Sequence, residues 1–129
     1  MKVAISIGGS APVDIMSQIE FAICADEMGV DTVWSAEGWG EDAVTSLTFL
    51  AARTKRIKLG AGIMQISARA PTMTAMTARA ISNLSAGRFL LGLGVSGPQV
   101  VEGLHSVRYN QPLTRLRENV EIIRQTFSG

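Results

Sequence analysis

The chain has 129 residues, 47% of them apolar and 18% charged, with twelve Lys and Arg against eleven Asp and Glu for a net charge of +1. A chain this long buries roughly two-thirds of its unfolded surface, enough for a single domain over residues 1–129 with its own core. The balanced charge argues against a nucleic-acid face, the 5% aromatic share against a base-stacking surface, and the apolar content against disorder.

The first apolar run, Val3 to Ile7, breaks at Gly8-Gly9-Ser10. Pro12 then suits a first helical turn, where its missing N–H costs nothing, and Met16, Ile19 and Ile23 recur on one helical face. Gly29 reads as a left-handed C-terminal cap. The second run, Thr32 to Ser35, leads through a Gly38-Trp39-Gly40 loop to a helix with Ala43, Leu47, Leu50 and Ala51 on its buried face. Arg53, Lys55 and Arg56 read as a solvated charge group at its end, favourable to the helix dipole. The third run, Ile57 to Ile63, holds Gly60 and Gly62, which mark a bulge or a close backbone approach. Pro71 opens a third helix with Met73, Met76, Ala80 and Leu84 on one side, ended by Ser85-Ala86-Gly87. The fourth run, Phe89 to Val95, precedes a loop with Gly97, Pro98, Gly103 and His105. A last helix starts at Pro112 and carries Leu116, Val120, Ile123 and Phe127 on one face.

Strand and helix thus alternate four times, with about 30 residues per unit, which requires a parallel sheet with helical crossovers. Near-continuous apolar strands suit burial on both faces. Two α/β architectures fit: an open doubly wound sheet, or a (βα)4 unit that is half of a TIM (β/α)8 barrel, whose full form takes about 250 residues. In both, ligand groups collect at the carboxyl ends of the strands. Those ends are Gly8-Gly9-Ser10, Ala36-Glu37-Gly38-Trp39, Gly62-Ile63-Met64-Gln65 and Gly94-Val95-Ser96-Gly97, all glycine-bearing, as for a ligand lying close to the backbone. Gly8-Gly9-Ser10 lacks the spacing of a phosphate loop.

Three segments resemble the N-terminal half of the bacterial luciferase-like family of flavin-dependent monooxygenases and coenzyme F420-dependent oxidoreductases. They are Val33-Trp34-Ser35-Ala36-Glu37-Gly38-Trp39-Gly40, Leu50-Ala51-Ala52-Arg53-Thr54-Lys55-Arg56-Ile57-Lys58-Leu59-Gly60, and Gly87-Arg88-Phe89-Leu90-Leu91-Gly92-Leu93-Gly94. The resemblance is strongest to the F420-dependent subgroup through Gly94-Val95-Ser96-Gly97-Pro98-Gln99-Val100-Val101-Glu102-Gly103. It implies a barrel whose cofactor ring lies at the carboxyl-terminal mouth, with coenzyme F420 as the cofactor and FMN as the alternative. It also implies a non-prolyl cis peptide behind the ring at Gly62–Ile63, and a pocket lined by Gly94, Ser96 and Gly97. The family's usual Asp-His pair after the second strand reads Glu37-Gly38 here, so a carboxylate is kept and an imidazole is absent at that place. In such a site the cofactor performs the hydride transfer, and the protein binds, orients and shields it.

Individual side chains allow two readings each. Glu37 is an acid at the ring edge or a capping loop residue. Trp39 walls the ring or packs on the mouth. Gln65 reaches the ring edge or makes a loop hydrogen bond, and His105 transfers a proton or sits at the surface as a cap. The catalytic candidates are Glu37 and His105; the cofactor-binding candidates are Glu37, Trp39, Gly62, Ile63, Gln65, Gly94, Ser96 and Gly97. Arg69 and Arg88 show no cluster, and no metal ligand set is visible. The lone Cys24 excludes an internal disulfide and suits a reducing, cytoplasmic compartment. A small-molecule substrate is expected, with neither a nucleic-acid nor a membrane partner. Four strands of buried type with unblunted edges lead us to expect a homo-oligomer, two chains closing edge to edge into a barrel. The opposite expectation is a non-catalytic half-barrel module that pairs with itself or another chain.

Overall fold

A computed structural model of the chain describes residues 1–8 and 14–128. The helix opening expected at Pro12 and the Gly9-Ser10 turn lie outside the described residues. Strand β1 (Ala4–Gly8) leads to helix α1 (Ile15–Glu27), β2 (Thr32–Ala36) to α2 (Ala43–Arg53), and β3 (Lys58–Ala61) through the short β4 (Met64–Gln65) to α3 (Pro71–Leu84). Strands β5 (Phe89–Leu90) and β6 (Leu93–Gly94) precede a single turn, α4 (Pro98–Val101), and the last helix, α5 (Pro112–Ser128). Helix α1 is capped by Asp14, which accepts from the Ser17 N–H, and α2 by Asp42, which accepts from both the N–H and the hydroxyl of Thr45. Gly29 follows α1 with φ +82°, the left-handed conformation its place in the sequence predicts.

Strands β1, β2, β3 and β5 pair in parallel, in chain order. Right-handed crossovers between successive neighbours put α1, α2 and α3 on the same face of the sheet; α1 packs on α2, α2 on α3, and α5 on α3. A doubly wound sheet would have to reverse its order at a switch point. Sequential order with one helical layer is the arrangement of a barrel wall, so the chain is an α/β half barrel.

The core lies between sheet and helices, where Ile7, Val33, Leu59 and Ala61 meet Ile19, Leu47, Leu50 and Ile57. The other sheet face differs from the expected burial on both sides. Ser6, Trp34, Gly60 and Leu90 stand in register across it, and Ser6, Trp34 and Leu90 are exposed. The Trp34 indole lies flat over β3, where a Cβ on Gly60 would collide with the ring. In a closed barrel this face is the interior.

The third and fourth apolar runs are each broken in two. β3 stops at Ala61, the Gly62–Ile63 peptide is cis, and β4 then pairs with β6, Met64 opposite Leu93 and Gln65 opposite Gly94. The break is matched on the neighbouring strand. The Ala61 carbonyl occupies the space a Cβ would need on Gly92, and the Met64 N–H donates to the Gly92 carbonyl at 2.9 Å.

At the opposite end of the sheet, charges that read as solvated or unclustered form a joint. Both carboxylate oxygens of Asp26 are used, accepting N–H bonds from Lys55, Arg56 and Ile57 at 2.9, 2.9 and 2.6 Å. Arg56 returns to the carbonyls of Asp26 and Glu27. The Arg88 guanidinium donates to Thr54 Oγ1 and to the carbonyls of Ala51, Thr54, Ile57 and Ser85. No helix among the described residues is long and apolar enough to cross a membrane.

Candidate functional site

The loops after β2, β4 and α4 converge at the carboxyl ends of the strands. Glu37 follows β2 directly, and its backbone N–H donates to the Ile63 carbonyl at 3.0 Å. One step earlier the Gly62 N–H donates to the Ser35 carbonyl at 2.8 Å. The Glu37 side chain is 7% exposed, and its Oε2 accepts the Gln65 N–H at 2.9 Å. Glu37 therefore clasps the chain just past the break, with its backbone N–H at Ile63 and its carboxylate at Gln65.

Arg69, from the loop between β4 and α3, supplies the counter-charge. Its Nη1 straddles the carboxylate, donating to Oε2 at 2.9 Å and lying 2.7 Å from Oε1 as an ion-pair contact outside hydrogen-bond geometry. Its Nη2 is 3.9 Å from Asp42, the cap of α2. Burial pushes the Asp42 carboxyl upward, but the Thr45 hydroxyl and N–H and the Arg69 charge outweigh it and hold its pKa below the ordinary carboxylate value. One guanidinium thus joins the loop after β2, the start of α2 and the loop after β4.

Gln65 is almost fully buried, and its side-chain oxygen lies 3.2 Å from His105 Nε2. Glu37, Gln65, Arg69 and His105 line one cleft of about 150 Å³, with Leu104 and Asp42 on its rim. The structure thus brings together three of the sequence candidates, Glu37, Gln65 and His105, from the loop after β2, strand β4 and the loop after α4. Gly62 and Ile63 adjoin the cleft through the Glu37 bonds. Ile63 is half-buried and leans onto Gly94, where a Cβ would lie 2.8 Å from its Cγ1; the missing side chain at Gly94 makes room for Ile63. Trp39 is 63% exposed, with its ring edge beside Gly103. Ser96 and Gly97 do not line the cleft. Ser96 has φ +57° and its carbonyl accepts from the Tyr109 hydroxyl, while the Gly97 carbonyl accepts the N–H bonds that open α4.

Arg69 and Asp42 are the site residues that sequence reading missed. Arg69 and Glu37 lie 32 positions apart, in two different loops. A pair of that kind leaves no periodic trace; the only available signal was an arginine four residues past a strand end that also carries a candidate.

The arrangement offers an apolar ledge at Gly62–Ile63 beside a polar edge made of a buried carboxylate, a buried amide and an imidazole. Gly62 is exposed, and the Trp34 ring closes over it on one side, 3.1 Å from where a Cβ would stand. A flat heterocycle with one polar edge fits that chemistry.

Residues 2–129 match the luciferase-like monooxygenase family. Over 128 residues the chain is 44% identical to a Mycobacterium tuberculosis protein named as a candidate coenzyme F420-dependent oxidoreductase, covering 99% of this chain and 37% of that one. It is 38% identical over 106 residues to a 5,10-methylenetetrahydromethanopterin reductase of Archaeoglobus fulgidus, covering 81% of this chain and 32% of the relative. A monooxygenase of known structure from Streptomyces bottropensis superposes with a TM-score of 0.82 at 26% identity, covering 97% of this chain and 42% of that one. The chain therefore spans well under half the length of the proteins it matches.

Proposed function

This chain belongs to the luciferase-like monooxygenase family, and we propose on that premise that it binds coenzyme F420 against the Gly62–Ile63 ledge and forms one wall of an oxidoreductase site acting on a small-molecule substrate. The observation that carries the reading is the juxtaposition of that exposed glycine ledge with the Glu37, Gln65 and His105 edge. The name of the Mycobacterium tuberculosis relative favours F420 over FMN. When bound, a deazaflavin supplies the hydride chemistry.

The chain's own residues bind and orient. Gly62 admits the ring close to the backbone, and Ile63, Trp39 and Leu104 give apolar surface that keeps water from it. Glu37 holds the ledge by its N–H and carboxylate, so its first task is positioning rather than proton donation. His105 is the group left to exchange a proton at the edge. A cytoplasmic location goes with this reading, since the free and exposed Cys24 stays a thiol there.

Equilibrium binding to the purified chain tests the proposal. Saturable binding of F420 in the micromolar range, tighter than that of FMN, is expected. Tighter binding of FMN would reassign the cofactor, and binding of neither would leave a second reading, a half-barrel module that pairs through its open sheet. The exposed Trp34 and Leu90 on the uncovered face favour that second reading.

A further inference from the structure

His105 is the single histidine of the chain. It comes from the loop after α4, yet its Nε2 lies 3.2 Å from the side-chain oxygen of Gln65 on β4. Gln65 is 2% exposed, so its amide is held in a packed setting, and its own N–H donates to Glu37. Glu37 is held in turn by Arg69. An amide oxygen only accepts. The imidazole nitrogen facing it must carry the proton, and the neutral ring keeps Nδ1 as its acceptor.

We propose that His105 is the proton acceptor of this cleft through Nδ1, that Gln65 fixes its tautomer, and that Arg69 is the positioning residue that holds Gln65 in place through Glu37. What the acceptor is used for rests on the redox reading above; the tautomer and its supports do not. The group it takes is a hydroxyl or N–H on a neutral molecule. Among the described residues, the other charges around the cleft are the carboxylates of Glu37, Glu41 and Asp42, and the one guanidinium, Arg69, is engaged by two of them. An oxyanion would meet net repulsion there.

Because the chain has one histidine, nitrogen-15 NMR reads this ring without ambiguity. The spectrum of the cofactor-free chain is recorded in alkaline buffer, where an imidazole is neutral. The wild-type ring is expected as a single Nε2–H tautomer. Gln65→Met is expected to relax it to the tautomer ratio of an unrestrained imidazole, while Gln65→Glu, which restores an acceptor, keeps the wild-type pattern. Arg69→Met moves the ratio in the same direction as Gln65→Met, and Arg69→Lys recovers it.

A wild-type ring protonated on Nδ1, or a ratio unmoved in Gln65→Met, overturns the tautomer assignment. An unmoved ratio in Arg69→Met overturns the positioning role. Should the truncations unfold, an Nδ1–H ring in Gln65→Glu overturns the first claim, and a ring still held as the single Nε2–H tautomer in Arg69→Gln, which has no charge to hold the Glu37 carboxylate, overturns the positioning role. Inorganic phosphate should leave the ring shifts in place; a saturable shift overturns the ligand class. No cofactor enters these measurements, so failure to bind F420 or FMN counts against the redox reading alone.

Discussion

Asp26 closes α1 at 6% exposure, and its carboxylate is shared among three N–H donors of the segment leading into β3. Burial pushes its pKa up, but the N–H bonds from Lys55, Ile57 and Arg56 and the Arg56 charge outweigh it, and the net shift is downward. A folded-state pKa below the unfolded one adds stability that is present above the unfolded value, about 3.9 for Asp, and is lost as pH falls through the folded value. Urea unfolding should therefore show stability falling below that range. Asp26→Asn should be about 2–4 kcal/mol less stable at neutral pH and less dependent on acid. Wild-type stability in the variant would contradict this role. Glu37 and Arg69 should behave as one unit in a denaturant double-mutant cycle. Glu37→Gln and Arg69→Met should each cost about 2–3 kcal/mol, and the double variant little more than one of them. Additive losses would show that the pair is not coupled. At this scale the sequence exposed Glu37, Gln65 and His105 because strand ends are where such groups collect. It hid Arg69 because the partners of an ion pair between loops are set by the fold.

The four strand–helix units were legible from periodicity, but the buried face of α3 was not: Met73, Met76 and Leu84, expected on one apolar side, are exposed, and Thr74, Ala75, Ala78 and Ile81 are buried instead. The breaks within the third and fourth strands were not legible either, since an apolar run reads the same whether the backbone is continuous or stepped. The step depends on glycines whose missing side chains are filled by a neighbour. At Gly92 that neighbour is the Ala61 carbonyl, a backbone atom that cannot move aside, whereas at Gly60 it is the Trp34 ring on an open face. Gly92→Ala is accordingly expected to cost about 3 kcal/mol and Gly60→Ala about 1 kcal/mol, both within the range for overpacking, as read by chemical denaturation. The reverse order would mean that the step is not built as described. The motifs that made the family legible are largely structural. Thr54, Ile57 and Arg88 belong to the joint at the base of the sheet, at the opposite end from the cleft residues Glu37 and His105.

At the scale of the whole molecule, one sheet face is covered by helices and the other is open, with β1 and β5 at its edges. Parallel edges beside an apolar face invite pairing. We expect sedimentation velocity on the purified chain to show a species larger than a monomer; a monodisperse monomer at all concentrations would contradict edge-to-edge closure. Periodicity alone allowed both an open sheet and a barrel wall, because strand order is a property of the assembled layer. The central claim is that the mouth formed by the β2, β4 and α4 loops receives a flat redox heterocycle. An amide-resolved NMR titration with coenzyme F420, repeated with FMN, tests it most directly. Saturable shifts are expected at Glu37, Gly62, Ile63, Gln65, Gly94 and the His105 ring, with the basal joint of Asp26 and Arg88 unmoved. Absence of shifts with both compounds, or shifts centred on that joint, would contradict the account.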